Sequence, residues 1–261
     1  MCDESYPSLV EFDPKKGEVK QVVYHGSGLP EVFSQRKENK AFEGIAVTPR
    51  GRVAVVMQRP LGDYQSFVRL LVFNPESKSS KSFAYKLPKL SSNKLVKLSA
   101  LQAISENEFL LLEQEEKNGK TNKVRVYKIN LQEASDISDV LIDEQLPEEV
   151  EKLFFKKSSI KEITKELIIE IPASKLKFEK IEGLSILPNG RTLVFINDAE
   201  SHKDVRLITV DLGESIWTWD VKDWSIISIL VLITALGLFF LFGIVFNYVQ
   251  RNKRKDRKPQ G

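Results

Sequence analysis

A short unit occurs twice in this chain, in which an acidic residue and a glycine open an apolar strand that returns after a turn. The first copy is Phe42–Gln58 and the second is Lys180–Asp198. Glu43 and Glu182 are the acidic residues that open the two copies, and glycine follows each of them. A repeated unit of this size cannot bury its strands alone, so copies pack against one another. The repeat therefore constrains the chain to a fold in which similar units are neighbours.

The turn in each copy indicates a β-hairpin. In the second copy Pro188 precedes Asn189-Gly190, a pair that accepts the positive φ angles of a tight hairpin. The return strand, 193–196, is followed by Asn197 and Asp198. Carboxylates are thus predicted at both open ends of this hairpin, close to each other in space.

A weaker third copy lies between the other two, at 98–113, with a turn at 105–108 and Glu113 at the end of its return strand. Alternating apolar and polar residues predict further strands around the three copies. Hairpins repeated with a similar turn are typical of radial β architectures. The predicted fold class is all-β: a partial β-propeller of repeated antiparallel blades, followed by one C-terminal transmembrane helix.

The predicted transmembrane helix is 226–246, which contains 21 residues and no charged side chain. At about 1.5 Å per residue, such a helix crosses a hydrocarbon core of roughly 30 Å. Flanking aromatic side chains favour a membrane span over the alternative of a buried core helix. They are Trp217, Trp219, Trp224 and Tyr248. We therefore expect a sheet domain over 1–213, a juxtamembrane linker over 214–225 and a tail over 247–261.

The tail predicts the orientation of a single-pass membrane protein. Six of its residues are Lys or Arg and one is Asp. Because positive residues stay on the cytoplasmic side, the tail is expected in the cytoplasm and the sheet domain on the exoplasmic side. The N-terminus lacks the basic and apolar segments of a signal peptide, which conflicts with that orientation. Tail-anchored insertion would leave the sheet domain in the cytosol, and a missing N-terminal portion is a third explanation.

Composition narrows the partners and the metals. The formal net charge is +3 and is concentrated in the tail, so the rest of the chain is slightly acidic and no nucleic-acid partner is expected. The single cysteine, Cys2, excludes an internal disulfide and a metal–thiolate site. Two histidines, His25 and His202, are too few for a zinc site without carboxylates. Any metal is expected to be a hard cation bound by oxygen, such as Ca²⁺.

Four motifs in order resemble the phytase-like family, also described as the esterase-like activity of phytase family, whose members are predicted β-propellers. Pro7–Gly17 resembles a strand pair of the family, and Asn39–Gly51 resembles its central Glu-Gly-Leu-Ala…Pro-Asp-Gly motif. The segments 98–114 and 180–198 resemble its third and closing motifs. The resemblance covers most of 8–211, and it implies that N-terminal blades upstream of residue 8 are missing from this chain.

The resemblance also implies hydrolysis of an ester or phosphoester, with the acidic residues at the repeated positions as candidates for the site. We expect Glu43 and Glu182 to be catalytic and Glu113 and Asp198 to bind a metal, grouped on one propeller face near the central channel. Ca²⁺ held there would bind and polarise a phosphate ester while it activates water. In the alternative interpretation, each carboxylate braces its hairpin by accepting backbone N–H bonds from a neighbouring blade.

Two functional hypotheses follow from these observations. In the first, the chain is a membrane-anchored, metal-dependent hydrolase of a phosphoester or another ester. In the second, it is a non-catalytic exoplasmic propeller that binds a protein or a small ligand. Loss of activity without loss of stability on Glu182→Gln would favour the enzyme, whereas loss of folding would favour the brace.

Overall fold

Strands that pair with their neighbours in sequence dominate the described residues, and they are rich in valine, isoleucine, leucine and phenylalanine. The computed structural model describes residues 1–61, 66–89, 94–118, 120–140, 159–176, 180–198 and 205–216. Within these ranges, 14 strands form four separate sheets. The predicted all-β class is confirmed to that extent.

The first half of the chain forms two sheets. Its strands are β1 (Ser8–Asp13), β2 (Glu18–His25), β3 (Gly28–Leu29), β4 (Phe42–Val47), β5 (Val53–Met57), β6 (Phe67–Asn74) and β7 (Ser79–Lys86). Sheet 1 contains β1 to β3 and sheet 2 contains β4 to β7, both in chain order. The pairing is antiparallel throughout, except that β3 runs parallel to β2. A short 3-10 helix, Glu31–Gln35, connects the two sheets.

The second half of the chain also forms two sheets of strands in chain order. Its strands are β8 (Lys94–Ala103), β9 (Glu108–Lys117), β10 (Lys120–Asn130), β11 (Thr164–Pro172), β12 (Ile181–Ile186), β13 (Thr192–Asn197) and β14 (Leu207–Asp211). Sheet 3 contains β8 to β11 and sheet 4 contains β12 to β14, again antiparallel and in chain order. A single helical turn, Ala173–Leu176, follows sheet 3.

All three predicted hairpins are present, and each begins with an irregularity in strand pairing. In sheet 2, β4 and β5 pair with a register shift between Phe42 and Gly44, so Glu43 is the extra residue of a β-bulge. In sheet 4 the shift lies between Ile181 and Gly183, so Glu182 is the extra residue there. The β8–β9 hairpin has its shift between Leu98 and Leu101. The sequence repeat therefore corresponds to a structural repeat.

The turns differ from the prediction in one respect. The Gly190 N–H donates to the Leu187 carbonyl at 2.9 Å, and Gly190 has a φ of +69°, but Asn189 does not have a positive φ. Proline fixes φ near −65° and suits the first central position of a four-residue turn. Pro188 and Asn189 are thus the central residues, and glycine alone takes the left-handed conformation after them. The turn predicted at Pro188-Asn189-Gly190 is therefore present, but of the Asn-Gly pair only Gly190 has the expected positive φ.

The first strands of sheets 2, 3 and 4 are neighbours. Strand β4 packs against β8, and β8 packs against β12. The Leu98 N–H donates to the Gln58 carbonyl at 3.0 Å, which links sheet 3 to sheet 2 through the backbone. Apolar side chains of sheets 1, 2 and 3 form one buried cluster, and β6 is buried along almost its whole length. The described residues show four neighbouring sheets but no closed ring.

Contacts group Met1–Glu214 into one compact unit. In the described part of the chain, no helix has both the length and the apolar character needed to cross a membrane. The predicted transmembrane helix at 226–246 and the tail at 247–261 lie outside the described residues, as does 217–225 of the linker. The domain boundaries at these positions therefore stay predictions.

Candidate functional site

The β-bulges place Glu43 and Glu182 at equivalent points of the first strands of sheets 2 and 4, and the glycine after each lies in close packing. A Cβ atom on Gly44 would lie 3.0 Å from the backbone C of Ala100 and the N of Leu101. A Cβ atom on Gly183 would lie 2.1 Å from Cγ2 of Ile196. The Glu-Gly pair thus supplies a carboxylate at the bulge and a backbone close enough to touch a neighbouring strand.

Glu43 is half-buried, and its carboxyl group interacts with those of Glu4 and Glu182. Its Oε2 accepts a hydrogen bond of 2.8 Å from the Gln58 side-chain amide. The pKa of Glu43 is raised from 4.5 to about 7, mainly by burial; interactions with the carboxyl groups of Glu4 and Glu182 contribute to the increase, and the hydrogen bond from Gln58 opposes it. The carboxyl of Glu43 is therefore part ionised and part protonated near neutral pH, which is the condition for exchanging protons with a reacting group.

Glu182 is half-buried and paired with a lysine of the neighbouring sheet. Its Oε1 accepts a hydrogen bond of 2.9 Å from the Nζ of Lys97, whose residue is only 7% exposed. Lys97 belongs to β8 and Glu182 to β12, so the ion pair joins sheets 3 and 4. The two predicted catalytic residues are thus close enough for their charges to interact, and the nearby cation is Lys97.

Glu113 lies apart from these two residues, in a buried cluster between sheets 2 and 3. It is 0% exposed, and its two oxygens accept hydrogen bonds from the Arg125 guanidinium at 3.1 Å and the Tyr85 hydroxyl at 2.9 Å. The Nζ of Lys165 lies 3.7 Å from the carboxylate and makes cation–π contacts with the rings of Tyr85 and Tyr127. Burial raises the pKa of Tyr85, and the charge of Glu113 adds to that increase. Glu113 thus links sheets 2 and 3, but the hydrogen bonds that it accepts come from side chains, whereas the brace interpretation expected backbone N–H donors.

Asp198 follows β13 at the exposed end of the sheet 4 hairpin. Its backbone N–H donates to the Lys180 carbonyl at 2.7 Å, and its side chain lies 4.0 Å from the Lys180 ammonium. The carboxylate is 43% exposed. Glu43 and Glu182 are thus brought together by the fold, whereas Glu113 lies in a different, buried environment.

Several residues of the site were not predicted. Gln58 lies one residue beyond the last pair of the β4–β5 hairpin, the position that the predicted residue Asp198 occupies after the β12–β13 hairpin. Gln114 pairs with Lys97 within the β8–β9 hairpin, and its buried side chain donates to the Ser99 hydroxyl and to the Ile181 carbonyl. Aligning the first two copies beyond the last strand residue would have found the polar position of Gln58. No such signal marks Glu4 or Lys97, which lie outside the repeated motif.

Whether these residues can bind Ca²⁺ depends on how many oxygen ligands the fold brings close together. Calcium takes six to eight oxygen ligands, usually with several carboxylates. Among the described residues, no three or more His, Cys, Asp or Glu side chains are arranged to hold a metal ion. The oxygens of Glu113 already accept hydrogen bonds from Arg125 and Tyr85. The predicted ligand pair of Glu113 and Asp198 therefore does not fit a calcium ion in this arrangement.

The chemistry that these residues can support is proton transfer by Glu43 near the charged Lys97–Glu182 ion pair. The Glu43 carboxyl has a pKa of about 7, and the Lys97–Glu182 ion pair lies beside it with a buried ammonium group. A general acid–base is most effective when its pKa lies near the working pH. An ammonium group can stabilise negative charge that develops during a reaction.

Comparison with protein families identifies a match over most of the chain. The family model described as "Phytase-like: Esterase-like activity of phytase" matches residues 1–200. A search of curated proteins finds no match. The matched region contains sheets 1 to 3 and the hairpin of sheet 4. It also contains the four predicted site residues, which are Glu43, Glu113, Glu182 and Asp198.

Proposed function

This chain belongs to the phytase-like family, and on that premise we propose that its sheet domain hydrolyses an ester bond and is anchored to a membrane by 226–246. One observation carries the enzymatic part of the proposal. The Glu43 carboxyl, with a pKa of about 7, lies next to Glu4 and Glu182. Strongly raised carboxyl pKa values are concentrated at catalytic sites.

In the proposed reaction, ionised Glu43 takes a proton from water while the water oxygen bonds to the acyl carbon or to phosphorus. The bond to the leaving oxygen then breaks, and Glu43 returns the proton to that oxygen, so that an acid and an alcohol are released. Glu182 keeps Lys97 in place and raises the pKa of Glu43 through its charge. The Lys97 ammonium stabilises the negative charge of the intermediate.

The charge of the site bears on the substrate. The carboxyl groups of Glu4 and Glu182 interact with that of Glu43, and one ammonium group, that of Lys97, pairs with Glu182. A phosphate monoester brings further negative charge and is repelled unless a cation accompanies it, whereas an uncharged ester is not. Because the described residues do not form a calcium site, we favour an uncharged ester over a phosphoester as the substrate.

The proposed architecture is a partial propeller in which the four sheets are consecutive blades. Support comes from the meander order of strands within every sheet and from the contacts of β4 with β8 and of β8 with β12. In a propeller the first strand of each blade lies nearest the axis. Glu43 and Glu182, at the start of two such strands, would then lie near the axis.

The test compares an uncharged ester with an anionic phosphate ester. Hydrolysis of p-nitrophenyl acetate and of p-nitrophenyl phosphate is measured with Ca²⁺ and with a chelator, for the full chain in detergent. We expect acetate hydrolysis that does not need Ca²⁺, with kcat reduced at least 100-fold by Glu43→Gln and little changed by the exposed control Glu166→Gln. Calcium-dependent phosphate hydrolysis would instead restore the metal-dependent hypothesis, and the absence of both activities would refute the hydrolase.

A second candidate function is a non-catalytic module that binds a protein or a small ligand. The observation that favours it is the use of acidic residues as braces, since Glu113 and Glu182 both form ion pairs with residues on other strands. Its test is a Glu182→Gln variant. If the variant loses stability and the wild-type chain hydrolyses neither substrate, the binding module is the better description.

A further inference from the structure

An apolar groove lies between sheets 1 and 2. It has a volume of about 260 Å³, and its walls include Leu9, Val23, Ile45, Val47, Val53 and Phe73. Among the described lining residues, Glu11 has the one charged side chain, and it lies at the exposed surface, 3.9 Å from the Lys20 ammonium. A groove of this kind favours an uncharged apolar group over an anion.

The groove and the candidate site share strand β4. Along β4, Glu43, Ile45 and Val47 are the positions that are not buried, and they alternate with buried Phe42, Gly44 and Ala46. Ile45 lies two residues beyond Glu43, which is about 7 Å along a strand. Cys2 connects the two regions on the other side, because it bridges to Leu9 and its Sγ lies 3.9 Å from the Glu43 carbonyl oxygen.

From this placement we infer that the groove binds the acyl chain of an uncharged ester whose carbonyl reacts at Glu43, an inference that rests on the proposed function. An apolar cavity of about 150 Å³ is known to hold benzene, so 260 Å³ accommodates an apolar group of about ten carbons. Each methylene that enters the groove should increase affinity by about threefold to fourfold. Medium-chain esters are therefore the expected substrate class.

Two residues of the groove are accessible enough for it to be filled without overpacking the core. Ile45 is 36% exposed and Val47 is 61% exposed, so tryptophan at either position can extend over the groove. Val19 on β2 is 63% exposed and does not line the groove, so Val19→Trp is the matched control. Circular dichroism and the unfolding midpoint are recorded for each variant, and Val47→Trp replaces Ile45→Trp if the latter is not folded.

The first measurement is binding, which does not depend on catalysis. An uncharged fluorescent probe, N-phenyl-1-naphthylamine, is titrated into the full chain in detergent micelles, the signal of micelles alone is subtracted, and the probe is displaced with 1-decanol. We expect saturable binding that Ile45→Trp weakens at least tenfold and Val19→Trp leaves unchanged. Equal binding by the wild-type chain and Ile45→Trp, or no binding, would overturn the inference.

The second measurement is hydrolysis of p-nitrophenyl esters from acetate to decanoate. We expect kcat/KM to rise with chain length, and the decanoate-to-acetate ratio to fall at least tenfold in Ile45→Trp but not in Val19→Trp. A flat dependence on chain length in an active enzyme would overturn the acyl assignment. Binding that Ile45→Trp weakens, together with no hydrolysis of any ester, would refute the proposed hydrolase while the groove stood as an apolar binding site.

Discussion

Lys97 and Glu182 form a hydrogen-bonded ion pair of 2.9 Å that links the first strands of sheets 3 and 4. The lysine is almost fully buried, and the glutamate side chain is 32% exposed. The Glu182 carboxylate thus contacts a residue of the neighbouring sheet and also interacts with the carboxyl group of Glu43. A change at Glu182 should affect both the packing of the sheets and the protonation of the site.

We expect Glu182→Gln to reduce the free energy of unfolding by about 1–3 kcal/mol, because it leaves the buried Lys97 ammonium without its anion. The double variant Lys97→Met/Glu182→Gln should recover most of this loss, since it removes the buried charge as well. Urea denaturation measures both effects, and exposed Glu166→Gln is the control. A single variant as stable as the wild-type chain would show that the ion pair is not a brace.

Glu113→Gln should destabilise the protein more strongly, by about 3–5 kcal/mol, because Arg125 and Lys165 would lose the carboxylate in a buried position. Glu170→Gln is the matched control, since Glu170 also pairs with Arg125 but is 40% exposed. We expect that control to cost less than about 1 kcal/mol. A stable Glu113→Gln protein that had lost calcium binding would contradict the brace and favour a metal ligand.

The raised pKa of Glu43 predicts a pH dependence of stability. The ordinary pKa is 4.5 and the folded value is about 7, so between these values the native state binds more protons than the unfolded state. The free energy of unfolding should therefore fall as pH rises through this window, by no more than about 2 kcal/mol once partial exposure is considered. Stability curves of the wild-type chain and Glu43→Gln, measured from pH 4 to 8, should diverge in that sense. Parallel curves would mean that Glu43 has an ordinary pKa.

The same titration should appear in catalysis. If ionised Glu43 is the general base, kcat/KM for an uncharged ester should rise with pH and level off above an apparent pKa near 7. The rate profile of Glu182→Gln should shift to lower pH, because the charge that raises the pKa of Glu43 would be removed. An unshifted profile would show that Glu182 does not act on the protonation of Glu43.

Gly44→Ala should cost about 1–3 kcal/mol, because the new Cβ would meet the backbone of Ala100 and Leu101, which cannot rotate away. Gly183→Ala offers a comparison, since its Cβ would meet the side chain of Ile196, which is 42% exposed. We expect Ile196→Ala to restore much of the stability of Gly183→Ala. Thermal unfolding of the three variants measures this, and equal tolerance of alanine at Gly44 would argue against close contact of sheets 2 and 3.

The membrane prediction can be tested without the sheet domain's activity. We expect the full chain to stay in the membrane fraction after alkaline carbonate extraction, because 226–246 contains no charged side chain. Leu236→Arg, near the centre of this segment, should reduce insertion. Protease protection should find the basic tail on the cytoplasmic side, and release of the full chain by carbonate would refute the anchor.

Local patterns in the sequence were sufficient for the hairpins. Apolar strands with Glu-Gly pairs and turns with glycine predicted β4–β5 and β12–β13, and apolar strands around the polar turn 105–108 predicted β8–β9. This was possible because the partners in a hairpin are close in the chain and a short turn sets their register. The backbone conformation of the turn was not predicted in full, because Gly190 has a positive φ and Asn189 does not. The Glu-Gly pairs also marked Glu43 and Glu182 as equivalent from the sequence alone.

The amino-acid sequence by itself determined which residues form strands, where the hairpins turn and which glutamates occupy repeated positions. Only the tertiary structure decided which carboxylates meet: it brought Glu4 and Glu182 to Glu43, paired Glu182 with Lys97 and enclosed Glu113 between Tyr85 and Arg125. The reason is physical. Hairpin pairing depends on residues that are near in the chain, whereas the pKa of a carboxyl depends on burial and on charges that distant segments contribute through packing.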